Sequence, residues 1–284
     1  MTTGQAAIHA RRLLRILAGV LFAAGLTGLR ALAQGLPAGV PAAPPGGIDA
    51  AKLPDTNGLH LGMSQDQALT VVKRLYPANL NITTNKEADG TTWIRHISAS
   101  KVQNCITSCD DIDVAFSPPP NPIQVIGINR AINSGNATPP TLDAVVVSLR
   151  KKYGKELDSA NPSTMTWAYD ELGQSINPQG PSNWKPADCA SAGSFEVPGA
   201  TPLAQILPRL TANLCNRGVF VVAQVLPGSA IQGVPVAPQI FIIMGEKSLQ
   251  FRDGVAAQQH AEALATAKKQ QEMKTAQQQK APTL

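Results

Sequence analysis

Aromatic and charged side chains are both scarce in this chain. It holds six phenylalanines, three tyrosines and three tryptophans, and 15% of its residues are charged. A core built from that composition has to be mainly aliphatic. No stripe of Lys and Arg runs along any segment, so a surface for phosphate backbones is not expected, and nucleic acid is excluded as a partner. Histidine is rarer still: of His9, His60, His96 and His260, no two are spaced as a metal pair on one element. The chain lacks a Gly-x-Ser-x-Gly elbow, a phosphate loop and a dinucleotide fingerprint. Ser-x-x-Lys occurs at Ser98–Lys101 and Ser148–Lys151, without the companion motifs that give it meaning. The expectation is therefore no catalytic residue, no metal ligand set and no cofactor. Enzymatic activity is not expected, although a hydrolase with a non-standard site stays an alternative.

Long apolar runs are missing too. Ile16–Leu29 is 14 residues long and carries Gly19, Gly25, Thr27 and Gly28, short of the roughly 20 residues a membrane span needs. Preceded by Arg11, Arg12 and Arg15 and followed by Ala31-Leu32-Ala33, it has the three parts of a secretory signal over residues 1–33, with cleavage expected before Gln34. No stable span should remain after cleavage. The segment holds Arg11, Arg12, Arg15 and Arg30 and no acid, so its removal lowers the formal charge from +5 to +1. The basic balance belongs to targeting. Export leads to a periplasmic or secreted bacterial location.

The cysteines are few, Cys105, Cys109, Cys189 and Cys215, and all fall after residue 100, which leaves no lipidation site behind the signal. An even count in an exported chain reads as disulfides. Three pairings are open, and proximity favours Cys105 with Cys109 and Cys189 with Cys215. In the chain-entropy view the short loop contributes about 2 kcal/mol and the longer one about 3 to 4 kcal/mol.

Residues 34–57 are rich in Gly, Pro and Ala and read as a linker. The stretch Ser64-Gln65-Asp66-Gln67 then forms a capping box in which Ser64 and Gln67 exchange hydrogen bonds at a helix start. Ala68, Leu69, Val72 and Leu75 supply its apolar stripe. Segments with strand character follow at 80–84, 91–98, 111–116 and 123–132. The pattern restarts with Thr141 as N-cap, a stripe of Leu142, Val145, Val146, Leu149 and Tyr153, and Gly154 as the stop. Strand-like runs at 165–169, 219–225 and 239–244 complete it. The fold class expected is α+β: two tandem helix-plus-antiparallel-sheet modules, 58–135 and 136–246, with a C-terminal helix and frayed tail over 247–284. The second module carries an insertion, 174–216, that holds Cys189 and Cys215, with a short helix from Thr201-Pro202. Asp110, Asp111 and Asp113 form the densest acidic cluster. Asp111 and Asp113 alternate with Ile112 and Val114, which makes them the wet side of a half-buried strand. Trp93 and Trp167 sit in strand patterns and read as core; Trp184 falls in the insertion.

Gly62-Met63-Ser64-x-x-Gln67-Ala68, followed by Thr92-Trp93, resembles the opening of the small outer-membrane assembly lipoproteins of the SmpA/OmlA (BamE) type. It is also similar to exported bacterial proteins with β-lactamase-inhibitor-like helix-on-sheet modules. The resemblance covers roughly 58–100. It implies a helix on an antiparallel sheet, a protein partner in the cell envelope and, as an alternative role, accessory work in outer-membrane protein assembly. The chain departs from the lipoproteins in its length, its cysteines and its missing lipidation site. The function expected is thus non-enzymatic protein binding in the envelope. Intact-mass analysis of the protein from its native compartment should show a chain beginning at Gln34 with no free thiol; four reactive thiols would contradict the disulfide reading.

Overall fold

The first helix starts where the capping box places it. In the computed structural model, which describes residues 51–87, 89–103, 108–157, 163–170, 172–177 and 218–278, Ser64 Oγ accepts from the Gln67 amide at 3.3 Å and Gln67 Oε1 accepts from the Ser64 amide at 2.9 Å. Helix α1 runs Gln65–Leu75, with Asp66 in its first turn and Lys73 and Arg74 in its last, each sign matching the nearer end of the helix dipole. The Tyr76 amide closes it on Val72 O, and Pro77 follows. Four strands come next: β1 Ala78–Lys86, β2 Thr92–Ser100, β3 Cys109–Phe116 and β4 Val125–Asn133. Helix α2, Leu142–Tyr153, repeats the plan. Thr141 Oγ1 accepts from the Ala144 amide at 3.2 Å, and Gly154 ends the helix at φ 82°, a left-handed conformation that costs glycine little. Strands β5 Thr164–Tyr169, β6 Val219–Leu226 and β7 Gln239–Gly245 follow, and α3 runs Lys247–Gln278.

These strands form a single seven-stranded antiparallel sheet in the order β1-β2-β3-β4-β7-β6-β5. Each half is a helix followed by antiparallel strands, and the last strand of one half pairs with the last strand of the other. The β4–β7 register runs from Gly127 opposite Gly245 to Asn133 opposite Gln239. Across this seam β3 matches β6 and β2 matches β5, as a local two-fold normal to the sheet would place them. Both N-caps also bridge the chain that leads into the seam strands: Ser64 pairs with Gln124 ahead of β4, and Thr141 with Val236 ahead of β7. The halves share one core. Ala68 and Val72 of α1 and Val145, Val146 and Leu149 of α2 pack with Ile97, Ile112, Val114 and Ile128, and with Met165, Trp167, Val221 and Met244. Trp93 and Trp167 are both buried in it.

Residues expected to belong to the linker are part of this body. Leu53 and Thr56 are buried, and the Thr56–Leu59 bridge closes a tight turn with Asn57 at φ 56° and Gly58 at φ 76°. Asp55 holds the turn to α2: Lys152 Nζ lies 3.0 Å from its carboxylate, and Tyr153 Oη donates to its carbonyl at 3.0 Å. The packed chain therefore reaches back to Leu53, and Leu59, Leu61 and Met63 continue it into the core. The two edges of the sheet differ. β1 is exposed along most of its length, whereas the Leu157 and Ile176 amides donate to Thr166 O and Ala168 O of β5. Residues 1–33, most of the linker, Cys105, Cys189, Cys215, Trp184, the Thr201 segment and the tail after 278 lie outside the described residues. Removing either cap oxygen, by Ser64→Ala or Thr141→Ala, should lower stability by about 1 kcal/mol in denaturant titrations and leave the fold intact.

Candidate functional site

Two polar groups stand on opposite faces of the sheet, and they differ in how fully they are satisfied. Alternation along β3 separates the acidic cluster between them. Asp110 lies on the helix side, in register with Ile132, while Asp111 and Asp113 face away. Asp110 receives Arg130 Nε and Nη2 at 2.7 Å each in a two-pronged contact, pairs with Lys101, and accepts from Tyr76 Oη at 3.3 Å. Asn57 donates to Tyr76 Oη at 2.9 Å. The Arg130 and Asp110 side chains are 15% and 13% exposed. Burial raises the Asp110 carboxyl, but Arg130 and Lys101 outweigh it and hold its pKa below the ordinary value; Asp110 likewise keeps Arg130 charged against its own burial. Burial pushes the Tyr76 hydroxyl up to about 12 and raises that of Tyr153. Both tyrosines lie within electrostatic reach of Arg130.

Tyr76 and Tyr153 each stand twelve residues after an N-cap, Ser64 and Thr141. That repeated spacing is the signal in the sequence that points to this cluster, and the expectations above did not use it. Each ring also has a lysine near it, Lys101 at 5.5 Å and Lys152 at 5.7 Å. Tyr153 stacks at a tilt on Trp167, with centroids 5.2 Å apart. The group is a scaffold that joins the end of α1 to the seam strand β4 through Tyr76, Asp110 and Arg130.

The other face carries the less satisfied group. Strand register sets Ser98, Asp113, Asn129 and Ile243 in one row across β2, β3, β4 and β7, and Ser100, Asp111, Ala131 and Phe241 in the next. His96 Nε2 lies 3.5 Å from Asp113 Oδ1, with side chains 36% and 47% exposed. Burial raises the Asp113 carboxyl; His96 opposes this and Asp111 adds to it. Asp111 Oδ1 and Asn129 Oδ1 are buried without a hydrogen-bond partner. A buried acceptor left without a donor is costly to the fold. Phe241 and Ile243 lie half-buried beside them, so the face offers acceptors and a carboxylate pair next to apolar surface.

Among the described residues, no group of three or more His, Cys, Asp or Glu is placed to hold a metal ion. His60 sits in the strap before α1, and His260 on α3 lies within electrostatic reach of Asp89. The expected disulfide residue that is described, Cys109, is buried at the start of β3 and disulfide-bonded. Ser64, Gln67, Thr141 and Gly154 are all found in their capping positions. No described helix is long and apolar enough to cross a membrane.

Fold and faces together define an α+β protein with one seven-stranded antiparallel sheet, helices α1 and α2 on one side of it and, on the other, the polar residues of β2, β3 and β4 beside a second buried apolar cluster of Ala168, Phe220 and Val222. The chain matches no protein-family model, no curated protein and no solved structure. Replacing Arg130 by Met leaves Asp110 in place without its two-pronged partner, and should cost about 3 to 5 kcal/mol in equilibrium unfolding. Because the Asp110 pKa is depressed by folding, its contribution is present above the unfolded value near 4 and is lost as pH falls below it. The difference between wild type and Arg130→Met should accordingly narrow in acid.

Proposed function

We propose that this chain is an exported protein of the bacterial cell envelope, periplasmic or secreted, that acts without catalysis by binding a protein partner on the polar face of its sheet. The observation that carries the reading is the group His96, Asp111, Asp113 and Asn129, half-exposed, with two unpartnered oxygens, next to Phe241 and Ile243. A partner suited to it presents a basic or amide side chain to the carboxylates and an apolar residue to Phe241. Export is supported by the pattern of residues 1–33 and by Cys109 being bonded. Pairing of Cys105 with Cys109, and of Cys189 with Cys215, belongs to the same reading.

A second reading follows from Gly62-Met63-Ser64-x-x-Gln67: accessory work in outer-membrane protein assembly. In this chain those residues make a turn and a capping box whose side chains serve α1, so the first reading is preferred. Affinity capture from envelope extracts separates the two, because bound proteins that include no assembly component would remove the second. For the first, Asp113→Arg and Phe241→Ser should each keep the melting temperature within a few degrees and reduce recovery of the captured partner at least tenfold. Undiminished capture by both variants would show that this face is not the binding surface.

A further inference from the structure

Helix α3 is long, but only its beginning is built into the body. Gln250, Asp253 and Val255 are almost wholly buried, Arg252 and residues 256–260 are partly buried, and beyond residue 260 nearly every side chain is exposed. Two bonds seat this start against the β3–β4 region. Gln250 Nε2 donates to Ile126 O at 2.8 Å, and Asn121 Nδ2 donates to the Asp253 carbonyl at 3.2 Å.

The Asp253 side chain is 0% exposed. Arg252 Nε and Nη2 reach its Oδ1 at 3.3 and 3.2 Å, both long for charged partners, while Oδ2 has no partner at all. Among the described residues around it, the Ser117–Gln124 connection and the start of β4 bring no ionisable side chain. Its own helix offers Arg252, and Glu246, one residue before the helix, is another buried acid. An ionised carboxylate in that setting is poorly compensated, whereas a protonated one is tolerated.

We infer that Asp253 makes the seating of α3 pH-sensitive: the helix start is held firmly when the carboxyl is protonated and is loosened when it ionises. Burial raises Asp253 to about 6, with Arg252 pulling only partly the other way. The sign follows. A group whose pKa is raised in the seated state favours seating fully below its free value near 4, and loses that contribution as pH rises through about 6. Roughly two units between the two states correspond to about a hundredfold change in the seating equilibrium. Release would expose the chain around Ile126 and Asn121, at the end of the sheet.

Hydrogen exchange of the amides over 250–256, corrected for intrinsic rates, tests this between pH 4 and pH 7.5. In the wild-type chain, protection of this segment should fall about a hundredfold over that range while β3 and β4 stay protected. Asp253→Asn should show protection that does not change with pH. Arg252→Gln keeps the carboxyl, removes its partner and should move the transition to higher pH, which decides the matter even if the first variant folds poorly. Wild-type protection that is flat with pH, or a midpoint unmoved by Arg252→Gln, would overturn the inference.

Discussion

Antiparallel pairing of β4 with β7 is what joins the two halves into one sheet. Each half alone would be a helix over three or four strands with its last strand exposed, an arrangement that leaves a row of backbone donors and acceptors open. Joined along Gly127–Asn133 and Gln239–Gly245, the two last strands satisfy one another and merge two small apolar surfaces into one core. Fraction buried rises with size, so a shared core stabilises more per residue than two separate ones. With α1 and α2 on one side, the opposite side carries the polar residues of β2, β3 and β4 and, towards β5 and β6, a second buried cluster of Ala168, Phe220 and Val222 on which Ile243 packs.

The buried ionic group beside the seam turns that pairing into a specified one. Arg130 and Asn129 are neighbours on β4 that point to opposite faces. A slip of one residue would send Arg130 away from Asp110 and place Asn129 in the aliphatic core. Tyr76 and Tyr153, at the ends of the two helices, both lie within electrostatic reach of the same guanidinium, and Tyr76 donates to the Asp110 that holds it. The cost of burying it is met by the two-pronged contact to Asp110, with Lys101 and Tyr76 completing the set. The strap from Leu53 to Met63 serves the same end, since Asp55 and Asn57 reach Tyr153 and Tyr76.

Local features were the legible ones. Ser64 with Gln67, Thr141 at the start of the second helix and Gly154 at its end are each signals read within a turn of chain, and strand alternation at Ile112 and Val114 identified β3 and its wet side without reference to anything distant. The same alternation separates Asp110 from Asp111, yet its consequence depends on Arg130, twenty residues away on another strand. No pattern in the sequence announces that two last strands will pair, because the seam is set by surfaces that meet only after both halves exist. Leu53 and Thr56 looked like linker since the stretch before them is Gly, Pro and Ala; what holds this turn to the body is Asp55 meeting Lys152 and Tyr153, far away in the chain. The polar face is legible residue by residue and becomes a site only through register, which sets Asp113 opposite Asn129 and Ala131 opposite Phe241.

If both halves form one cooperative body through the seam, tryptophan fluorescence should register one unfolding transition. Trp93 reports on the first half and Trp167 on the second, so two variants that each keep only one of them, the others replaced by Phe, read the halves separately in one denaturant titration. Coincident transitions with the same midpoint and the same slope are expected. Two resolved transitions, one for each tryptophan, would show that the halves unfold independently and that the β4–β7 pairing does not hold them together.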